Sequence, residues 1–291
     1  MNGSIAVARD LDVLRARIDG WKREGLRIGF VPTMGNLHEG HYSLVRLARA
    51  NADRVVASIF VNPTQFGPGE DYERYPRTPD ADVAGLEAAG CDLAWLPSLE
   101  TMYPLGLARA VRVQVPGITG VLDGAHRPGH FDGVCTVVAR LFNQVRPQVA
   151  VFGRKDYQQL AVIRHMVRDL GFPIGLLGAD IVREDDGLAR SSRNQYLSVE
   201  ERALAPEIHR TLLAMRDAVQ KGHDWRDVET EAGDRLQAAG FMVDYAVVRT
   251  PLLAEPAAAS AVGEDDGQRV ALVAARLGRT RLIDNLEFPV R

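Results

Sequence analysis

The stretch PTMGNLHEGH at residues 32–41 determines how the rest of the chain is interpreted. It directly follows an apolar segment, Arg27 to Pro32, that has the length and composition of a buried β-strand. It leads into an amphipathic segment, Tyr42 to Ala50, so the local pattern is strand, turn and helix. Gly35 allows a sharp turn because glycine adopts positive φ angles without steric cost. The pattern indicates a turn at the carboxyl end of a sheet strand, where α/β proteins bind their ligands.

His38 and His41 lie three residues apart at the predicted N-terminus of this helix. Side chains at that spacing share one face of a helix. Two imidazole donors and free backbone N–H groups would therefore meet an oxygen of an α- or β-phosphate there, and Gly40 would let the phosphate approach the backbone. The alternative is a pair of surface histidines beside a turn. The strand and helix on either side favour the phosphate site.

The first 180 residues alternate short apolar runs with amphipathic stretches, which is typical of a parallel α/β sheet. The strands are predicted at Arg27–Pro32, Arg54–Val61, Cys91–Leu96, Gln148–Phe152 and Ile174–Val182. The helices are predicted at Tyr42–Ala50, Pro79–Ala89, Gly133–Val145 and Tyr157–Leu170. The sequence therefore predicts an α/β fold with a Rossmann-like parallel sheet in an N-terminal domain, residues 1–182.

The pattern changes after about Val182. The segment Ser198-Val199-Glu200-Glu201 has the form of a capping box that begins a helix running towards Gln220, and Asp224 would cap a second helix. Three alternating segments follow, predicted as strands at Met242–Arg249, Arg269–Ala275 and Thr280–Glu287. We expect residues 183–291 to form a smaller α+β C-terminal domain that also supplies a lid.

Composition narrows the class of protein. The 291 residues carry a net charge of −3 and a pI near 6.2, which argues against nucleic acid as a partner. No apolar run approaches the roughly 20 residues of a membrane span, and the N-terminus lacks the features of a signal peptide. We therefore expect no membrane partner and a cytoplasmic location. Cys91 and Cys135 lie in apolar stretches and are predicted to be buried thiols, not zinc ligands or a disulfide.

A second signature lies about 150 residues after the histidines, at Arg190-Ser191-Ser192-Arg193-Asn194. Its hydroxyls and guanidinium groups suit a departing pyrophosphate. Three further segments accompany it: residues 60–66 (FVNPTQF), 126–133 (HRPGHFDG) and 152–160 (FGRKDYQQL). With PTMGNLHEGH and SSRNQYLS, these segments resemble the pantothenate synthetase family of the HxGH nucleotidyltransferase superfamily in order and spacing, over essentially the whole chain.

The resemblance implies an ATP-dependent ligase that joins pantoate to β-alanine through a pantoyl-adenylate, releasing AMP and pyrophosphate. It also implies Mg²⁺ and a cytoplasmic homodimer, with no protein residue assigned as a metal ligand. The residues implied to be catalytic are His41, His38, Lys155, Ser192 and Arg193. The residues implied to bind ATP are Met34, Gly35, Asn36, Leu37, His38, Glu39, Gly40, His41, Gly153, Arg154, Lys155, Asp156, Val182, Arg190, Ser191, Ser192 and Arg193. Gln65 would bind pantoate and lie beside β-alanine, and Gln159 would bind pantoate.

Two positions depart from the family pattern. Arg190 stands where an apolar residue is usual, so it would either add a phosphate contact or point to solvent. Arg154 occupies a position that varies within the family. Composition gives independent support to Lys155, because only three of the 35 basic residues are lysines and this one lies at the predicted carboxyl end of a strand.

Two alternatives stay open on the residues alone. Another HxGH nucleotidyltransferase would transfer the nucleotide to a phosphate acceptor, and it would want a basic pocket where this chain offers Gln65 and Gln159. An adenine-nucleotide sensor could keep the fold without catalysis. The presence of the histidines, Lys155 and the SSRN segment argues against a sensor.

Overall fold

The computed structural model of the chain describes residues 5–256 and 267–290. Its residues pack into two compact units. The N-terminal unit comprises the described residues up to Arg154 together with Gln159–Asp180, and the C-terminal unit comprises Lys155–Gln158 together with the described residues from Ile181 onwards. The division of the chain into domains at residues 182 and 183 stays a prediction.

The N-terminal unit contains a parallel sheet, as predicted, and the sheet has six strands where the sequence predicted five. Its strands are β1 (Ala6–Ala8), β2 (Ile28–Thr33), β3 (Arg54–Ile59), β4 (Leu93–Trp95), β5 (Val149–Gly153) and β6 (Gly175–Ala179). Their order in the sheet is β1-β4-β3-β2-β5-β6. The chain therefore moves outwards in one direction from β2 and returns to β5 on its other side. The boundary between β2 and β5 is the topological switch point at which open α/β sheets bind ligands.

Helices cover both faces of this sheet. They are α1 (Leu11–Arg23), α2 (Glu39–Asn51), α3 (Pro79–Ala88), α4 (Leu99–Met102), α5 (Asp123–His126), α6 (His130–Val145) and α7 (Tyr157–Asp169). Ile28 and Phe30 of β2 belong to one apolar cluster with α1, α6 and α7, while Val31 belongs to a second cluster with α2 and α3. Successive strand residues point to opposite faces, so one strand supplies both cores.

The sequence prediction did not include β1 and α1. β1 has three residues, too few for a visible alternation. α1 carries the usual signals, because Asp10 caps it and Leu14, Ile18 and Trp21 are buried at helical spacing. Cys91 and Cys135 are buried and free, as predicted, and burial raises the pKa of both thiols to about 12.

The C-terminal unit contains an antiparallel sheet and three helices among its described residues. The helices are α8 (Val199–Leu204), α9 (Glu207–Gln220) and α10 (Trp225–Ala238), and the strands are β7 (Met242–Arg249), β8 (Gln268–Leu277) and β9 (Thr280–Pro289), in that order. The predicted capping box is present at Ser198 and Glu201. The helix predicted to run on to Gln220 is interrupted at Ala205 and Pro206, because proline has no N–H to donate to the carbonyl four residues earlier. Among the described residues, no helix is both long and apolar enough to cross a membrane.

Candidate active site

One buried carboxylate holds the turn between β2 and α2. Asp82, on α3, is 2% exposed and accepts hydrogen bonds from the backbone N–H groups of Asn36 at 3.0 Å and Leu37 at 2.7 Å. Thr78 Oγ1 donates to the same carboxylate at 3.2 Å. Gly35 has a φ of +90°, and a Cβ there would lie 3.0 Å from Asp82 Oδ2. The predicted glycine turn is confirmed, and Asp82 is the residue that fixes its shape.

His38 and His41 cap the N-terminus of α2 reciprocally. His38 is the N-cap residue, and its Nδ1 accepts a hydrogen bond from the backbone N–H of Gly40 at 3.1 Å. The Nδ1 of His41 accepts one from the backbone N–H of His38 at 3.3 Å. The two ring centroids lie 4.2 Å apart. The arrangement is a capping box in which imidazoles take the places of the usual hydroxyl and carboxylate.

This cap fixes the proton position on each neutral ring. An imidazole whose Nδ1 accepts a hydrogen bond carries its proton on Nε2 when it is neutral. Both histidines therefore have Nε2 as a donor, at a helix end whose dipole favours anions.

The cap also corrects two details of the sequence prediction. The N–H groups of His38 and Gly40 are used by the histidines and are not free for a phosphate. A Cβ at Gly40 would lie 2.8 Å from Cε1 of His38, so this glycine accommodates the imidazole ring. A phosphate at this turn would therefore meet the imidazoles and not these two backbone groups.

Gln65 lies beside the same turn. It ends the 3₁₀ turn Pro63–Gln65 after β3 and is 8% exposed. Its Nε2 donates to Sδ of Met34 at 2.9 Å, and its Oε1 accepts from Nδ2 of Asn62 at 3.2 Å. The structure thus places Gln65 next to the histidine-bearing turn within the N-terminal unit.

Asn62 supports Gln65 from the interior and was missed in the sequence. It is fully buried, and its Oδ1 accepts from the hydroxyl of Tyr103 at 2.7 Å. Its Nδ2 also donates to the carbonyl of Gly133 at 3.2 Å. A side chain at Gly133 would collide with the carbonyl of Thr64, so α6 can approach the 3₁₀ turn only with glycine at this position. An asparagine at the end of an apolar strand was the signal that could have identified this network.

A second network holds the main chain of Gln65. His130 Nδ1 lies 2.7 Å from the Gln65 carbonyl oxygen, and its Nε2 lies 3.0 Å from Nη1 of Arg127. A carbonyl oxygen only accepts and a guanidinium only donates, so the ring is neutral with its proton on Nδ1. Arg127 forms a bidentate pair with Glu70, with N–O distances of 2.7 and 2.6 Å. The sequence analysis did not predict a site role for any of these residues.

The electrostatics of this network agree with its geometry. Burial lowers the pKa of His130 to about 4, and the neighbouring charge of Arg127 acts in the same direction. Burial opposes the ionisation of Glu70, but the hydrogen bonds and charge of Arg127 outweigh it and lower the pKa of Glu70 to about 2. At neutral pH a neutral imidazole therefore lies between an ion pair and the backbone of Gln65.

The carboxyl end of β5 leads into α7 through a short turn that the two units share. Arg154 Nε donates to the carbonyl of Gly178 at 3.2 Å, so this side chain lies against β6. Gln159 is half-buried in the first turn of α7, within the N-terminal unit. Lys155 is half-buried and Asp156 is exposed, and both are part of the C-terminal unit.

In the C-terminal unit, the SSRN segment follows a hairpin-like loop. An antiparallel bridge pairs Arg183 with Ala189, and the backbone N–H of Arg190 donates to the carbonyl of Val182 at 2.9 Å. Arg190 Nη2 lies 3.0 Å from Oε2 of Glu184, and each of the two side chains is about one-third exposed. Ser191 caps the 3₁₀ turn Ser192–Tyr196 by accepting from the backbone N–H of Arg193 at 3.3 Å.

The predicted site residues thus form two groups. The histidine turn, Gln65 and Gln159 belong to the N-terminal unit, while Lys155, Asp156, Val182 and residues 190–193 belong to the C-terminal unit. Across residues 5–256 and 267–290, no group of three or more His, Cys, Asp or Glu side chains is arranged to hold a metal ion.

Comparison with known proteins identifies the relatives of this chain. The family model described as pantoate-beta-alanine ligase matches residues 6–287. A pantothenate synthetase of Stenotrophomonas maltophilia (strain R551-3) is 66% identical over 284 residues, which cover 98% of this chain and 100% of the relative. A pantothenate synthetase of Xylella fastidiosa (strain M23) is likewise 66% identical over 284 residues, 98% of this chain and 100% of that relative.

Two solved structures share the fold. Pantothenate synthetase from Thermus thermophilus superposes with a TM-score of 0.86 at 49% identity, covering 97% of this chain and 99% of that one. The pantoate-beta-alanine ligase from Francisella tularensis, complexed with beta-gamma ATP and beta-alanine, has a TM-score of 0.79 at 30% identity and covers 97% of each chain.

Proposed function

Because the chain belongs to the pantoate–β-alanine ligase family, we propose that its two groups of site residues divide the ligase reaction between them. The chain is an ATP-dependent ligase that condenses pantoate with β-alanine. The N-terminal group would orient the acid and the α-phosphate, and the C-terminal group would hold the remaining phosphates. The reciprocal histidine cap, with Gln65 beside it, is the observation that carries this assignment.

The chemistry requires an activated acid. A carboxylate does not acylate an amine in water until one of its oxygens becomes part of a good leaving group. In the first step, a carboxylate oxygen of pantoate attacks the α-phosphorus of ATP, and pyrophosphate leaves. In the second step, the neutral amine of β-alanine attacks the acyl carbon of the adenylate, and AMP leaves with that oxygen. Neither step needs a protein nucleophile, so positioning and electrostatic stabilisation are the tasks of the enzyme.

The histidines suit the electrostatic stabilisation of the α-phosphate. Their Nδ1 atoms are occupied by the backbone, so the Nε2 donors are preorganised and do not need to reorient when charge develops on the phosphate. His41 would act as a proton donor as well, with His38 as its partner.

The amides suit the recognition of pantoate. Gln65 would bind the hydroxyl and carboxylate groups of the acid, since an amide both donates and accepts. The Asn62 and His130 contacts hold its side chain and its main chain separately. Gln159 would bind pantoate from the first turn of α7, and β-alanine would lie beside Gln65.

The C-terminal group would bind the rest of ATP. Lys155, Ser192 and Arg193 would neutralise the phosphates as pyrophosphate departs, and Asp156, Arg190 and Ser191 would add contacts. Gly153, in the N-terminal unit, would add a further contact to ATP. Val182 would touch the adenine through its backbone. We propose that ATP enters as its Mg²⁺ complex, in which phosphate oxygens and water supply most ligands, so a dedicated protein cage is not required. We also propose that the protein is a homodimer and that it is located in the cytoplasm.

Exchange of labelled pyrophosphate into ATP tests the proposed first step. With ATP, Mg²⁺ and pantoate but without β-alanine, exchange should be rapid, because the step is reversible and needs only the carboxylate. Omitting pantoate should abolish it. A nucleotidyltransferase with a phosphate acceptor would exchange only with that acceptor, and a sensor would not exchange at all. Exchange that requires β-alanine would overturn the adenylate route.

A further inference from the structure

Two adjacent residues of β9 contact the segment that contains Lys155 and the loop that precedes residues 190–193, the two segments that the proposed function links to the ATP phosphates. Asp284 and Asn285 are 5% and 3% exposed, although both are polar. Buried polar side chains are kept when specific partners satisfy them. The partners of these two residues lie in the Arg183–Ala189 loop and in the segment Lys155–Gln158, all within the C-terminal unit.

Asp284 holds the base of the loop that precedes the SSRN segment. Its carboxylate forms a bidentate pair with Arg183, with Nη1–Oδ2 and Nη2–Oδ1 distances of 2.6 and 3.0 Å. Arg183 Nη1 also donates to the carbonyl of Gly187 at 3.0 Å, across the same loop. The ion pair is buried, since the Asp284 side chain is 4% exposed and that of Arg183 is 19% exposed. The Asp284 carboxylate therefore holds the Arg183 guanidinium, which in turn links the two sides of the loop.

Asn285 holds the segment that contains Lys155. Its Nδ2 donates to the backbone carbonyl of Lys155 at 2.8 Å. Two residues further along β9, Glu287 Oε1 accepts from the hydroxyl of Tyr157 at 3.2 Å. Residues two apart on a strand share one face, so one face of β9 binds Lys155–Gln158 while Asp284, on the other face, binds the Arg183 loop. The backbone N–H of Asn285 donates to Asp284 Oδ1 at 2.8 Å, which links the two contacts.

We infer that Asp284 and Asn285 are positioning residues for the ATP phosphates. They touch no reacting atom. They set the backbone of Lys155 and the loop that leads directly into Arg190–Arg193 against a common strand. This inference rests on the proposed role of Lys155 and residues 190–193 in binding phosphate. A displacement of about 1 Å at such groups lowers rates substantially, because catalysis of this kind depends on placement.

The same strand offers a matched control. Arg281 of β9 pairs with Asp244 of β7 at 2.7 Å, and their side chains are 14% and 13% exposed. This ion pair resembles the Asp284–Arg183 pair in chemistry and is also largely buried, but it links two strands of the sheet and neither phosphate segment. Asp244→Asn therefore reproduces the loss of a charged pair on β9 without loosening Lys155 or the Arg183 loop.

The test compares Asp284→Asn, Asn285→Leu and Asp244→Asn in pyrophosphate exchange and in urea unfolding. The first two variants should raise the KM for ATP about tenfold or more while leaving the KM for pantoate within about twofold of the parent. Asp244→Asn should lower the unfolding midpoint comparably but leave both KM values near those of the parent. Asn285→Leu keeps the size of the side chain but removes its hydrogen-bonding groups and changes no charge, so it carries the test if Asp284→Asn does not fold.

A change in the KM for ATP no larger than that of Asp244→Asn would overturn the inference. Lys155→Ala in the same assay separates this result from a failure of the proposed site. If Lys155→Ala raises the KM for ATP and the β9 variants do not, only the positioning role is wrong. If Lys155→Ala leaves the KM for ATP unchanged, the phosphate site itself is wrong.

Discussion

The histidine turn and the SSRN segment differ in the share of ion pairs among the contacts that hold them. The turn of residues 33–41 is held by hydrogen bonds to the backbone, from the buried Asp82 and from its own histidines. The SSRN segment and the loop before it combine backbone hydrogen bonds with ion pairs, from buried Arg183–Asp284 to the half-exposed Arg190–Glu184 and Arg202–Asp186 pairs. Exposed pairs contribute about 0–1 kcal/mol each. On the proposed division of the reaction, this difference predicts a fixed surface for the acid and α-phosphate and a more easily displaced segment for the departing pyrophosphate.

The largest effect is expected at the histidines, and it separates capping from catalysis. His38→Ala should lower pyrophosphate exchange by about 10²-fold, as does the loss of a preorganised donor, and should also cost about 1 kcal/mol of stability through the lost cap. His38→Asn should restore the stability, because asparagine is a good N-cap, but not the activity. Steady-state exchange and urea unfolding measure the two properties.

Normal exchange in His38→Asn would show that the imidazole serves only as a cap. His41→Ala should behave like His38→Ala in both measurements. We expect both variants to lose stability because each histidine caps the helix. Histidines that were only exposed in a cleft could be replaced without a loss of stability.

The next effect concerns the C-terminal group. Lys155→Arg should lower exchange by about tenfold or more, although the charge is kept, because a planar guanidinium does not replace a compact ammonium between phosphates. Lys221→Arg, at the exposed end of α9, supplies the control and should match the parent. If Lys155→Arg exchanges pyrophosphate as fast as the parent, Lys155 acts only as a general surface cation.

A smaller effect tests which substrate the fixed surface recognises. Gln65→Ala and Gln159→Ala should each raise the KM for pantoate by about tenfold, the equivalent of one or two hydrogen bonds. The affinity for ATP, measured by calorimetry without pantoate, should change by less than about twofold. Equal losses for both substrates would mean that these amides do not distinguish the acid from the nucleotide.

The smallest effect concerns stability and pH at His130. The folded pKa of about 4 lies below the ordinary value of 6.5, so the unfolded state binds more protons between these values and stability falls as the pH falls from 6.5 to 4. Removing the ring in His130→Asn should reduce this loss by about 1–2 kcal/mol. Urea unfolding across this pH range measures it, with His223→Asn as a comparison that removes an exposed imidazole. An unchanged pH dependence in His130→Asn would contradict the buried neutral ring.

Sequence alone predicted the parts of this molecule that depend on local pattern. The strand–turn–helix around residues 32–41 follows from apolar periodicity and Gly35, and the sheet of the C-terminal unit follows from alternation along β7 to β9. The proline at 206 shortened a predicted helix, and β1 was too short to detect.

The supporting residues depend on distant packing and therefore could not be predicted in the same way. Asp82 lies 46 residues from Asn36 in the sequence, and Asn285 lies 130 residues from Lys155. No local spacing connects these partners, because the fold alone brings them together. The roles of Gln65 and Gln159 were suggested mainly by resemblance, whereas composition and position also supported Lys155; the variants above test all three.

The fate of the pantoate carboxylate oxygens tests the central claim most directly. Pantoate labelled with ¹⁸O in its carboxylate should transfer one labelled oxygen to AMP during net synthesis, because that oxygen bonds to the α-phosphorus before β-alanine displaces it. Mass spectrometry of the AMP, pyrophosphate and pantothenate measures the distribution, and pantothenate should keep the other labelled oxygen in its amide carbonyl. Label in pyrophosphate or orthophosphate, or AMP without label, would contradict attack of the carboxylate on the α-phosphate.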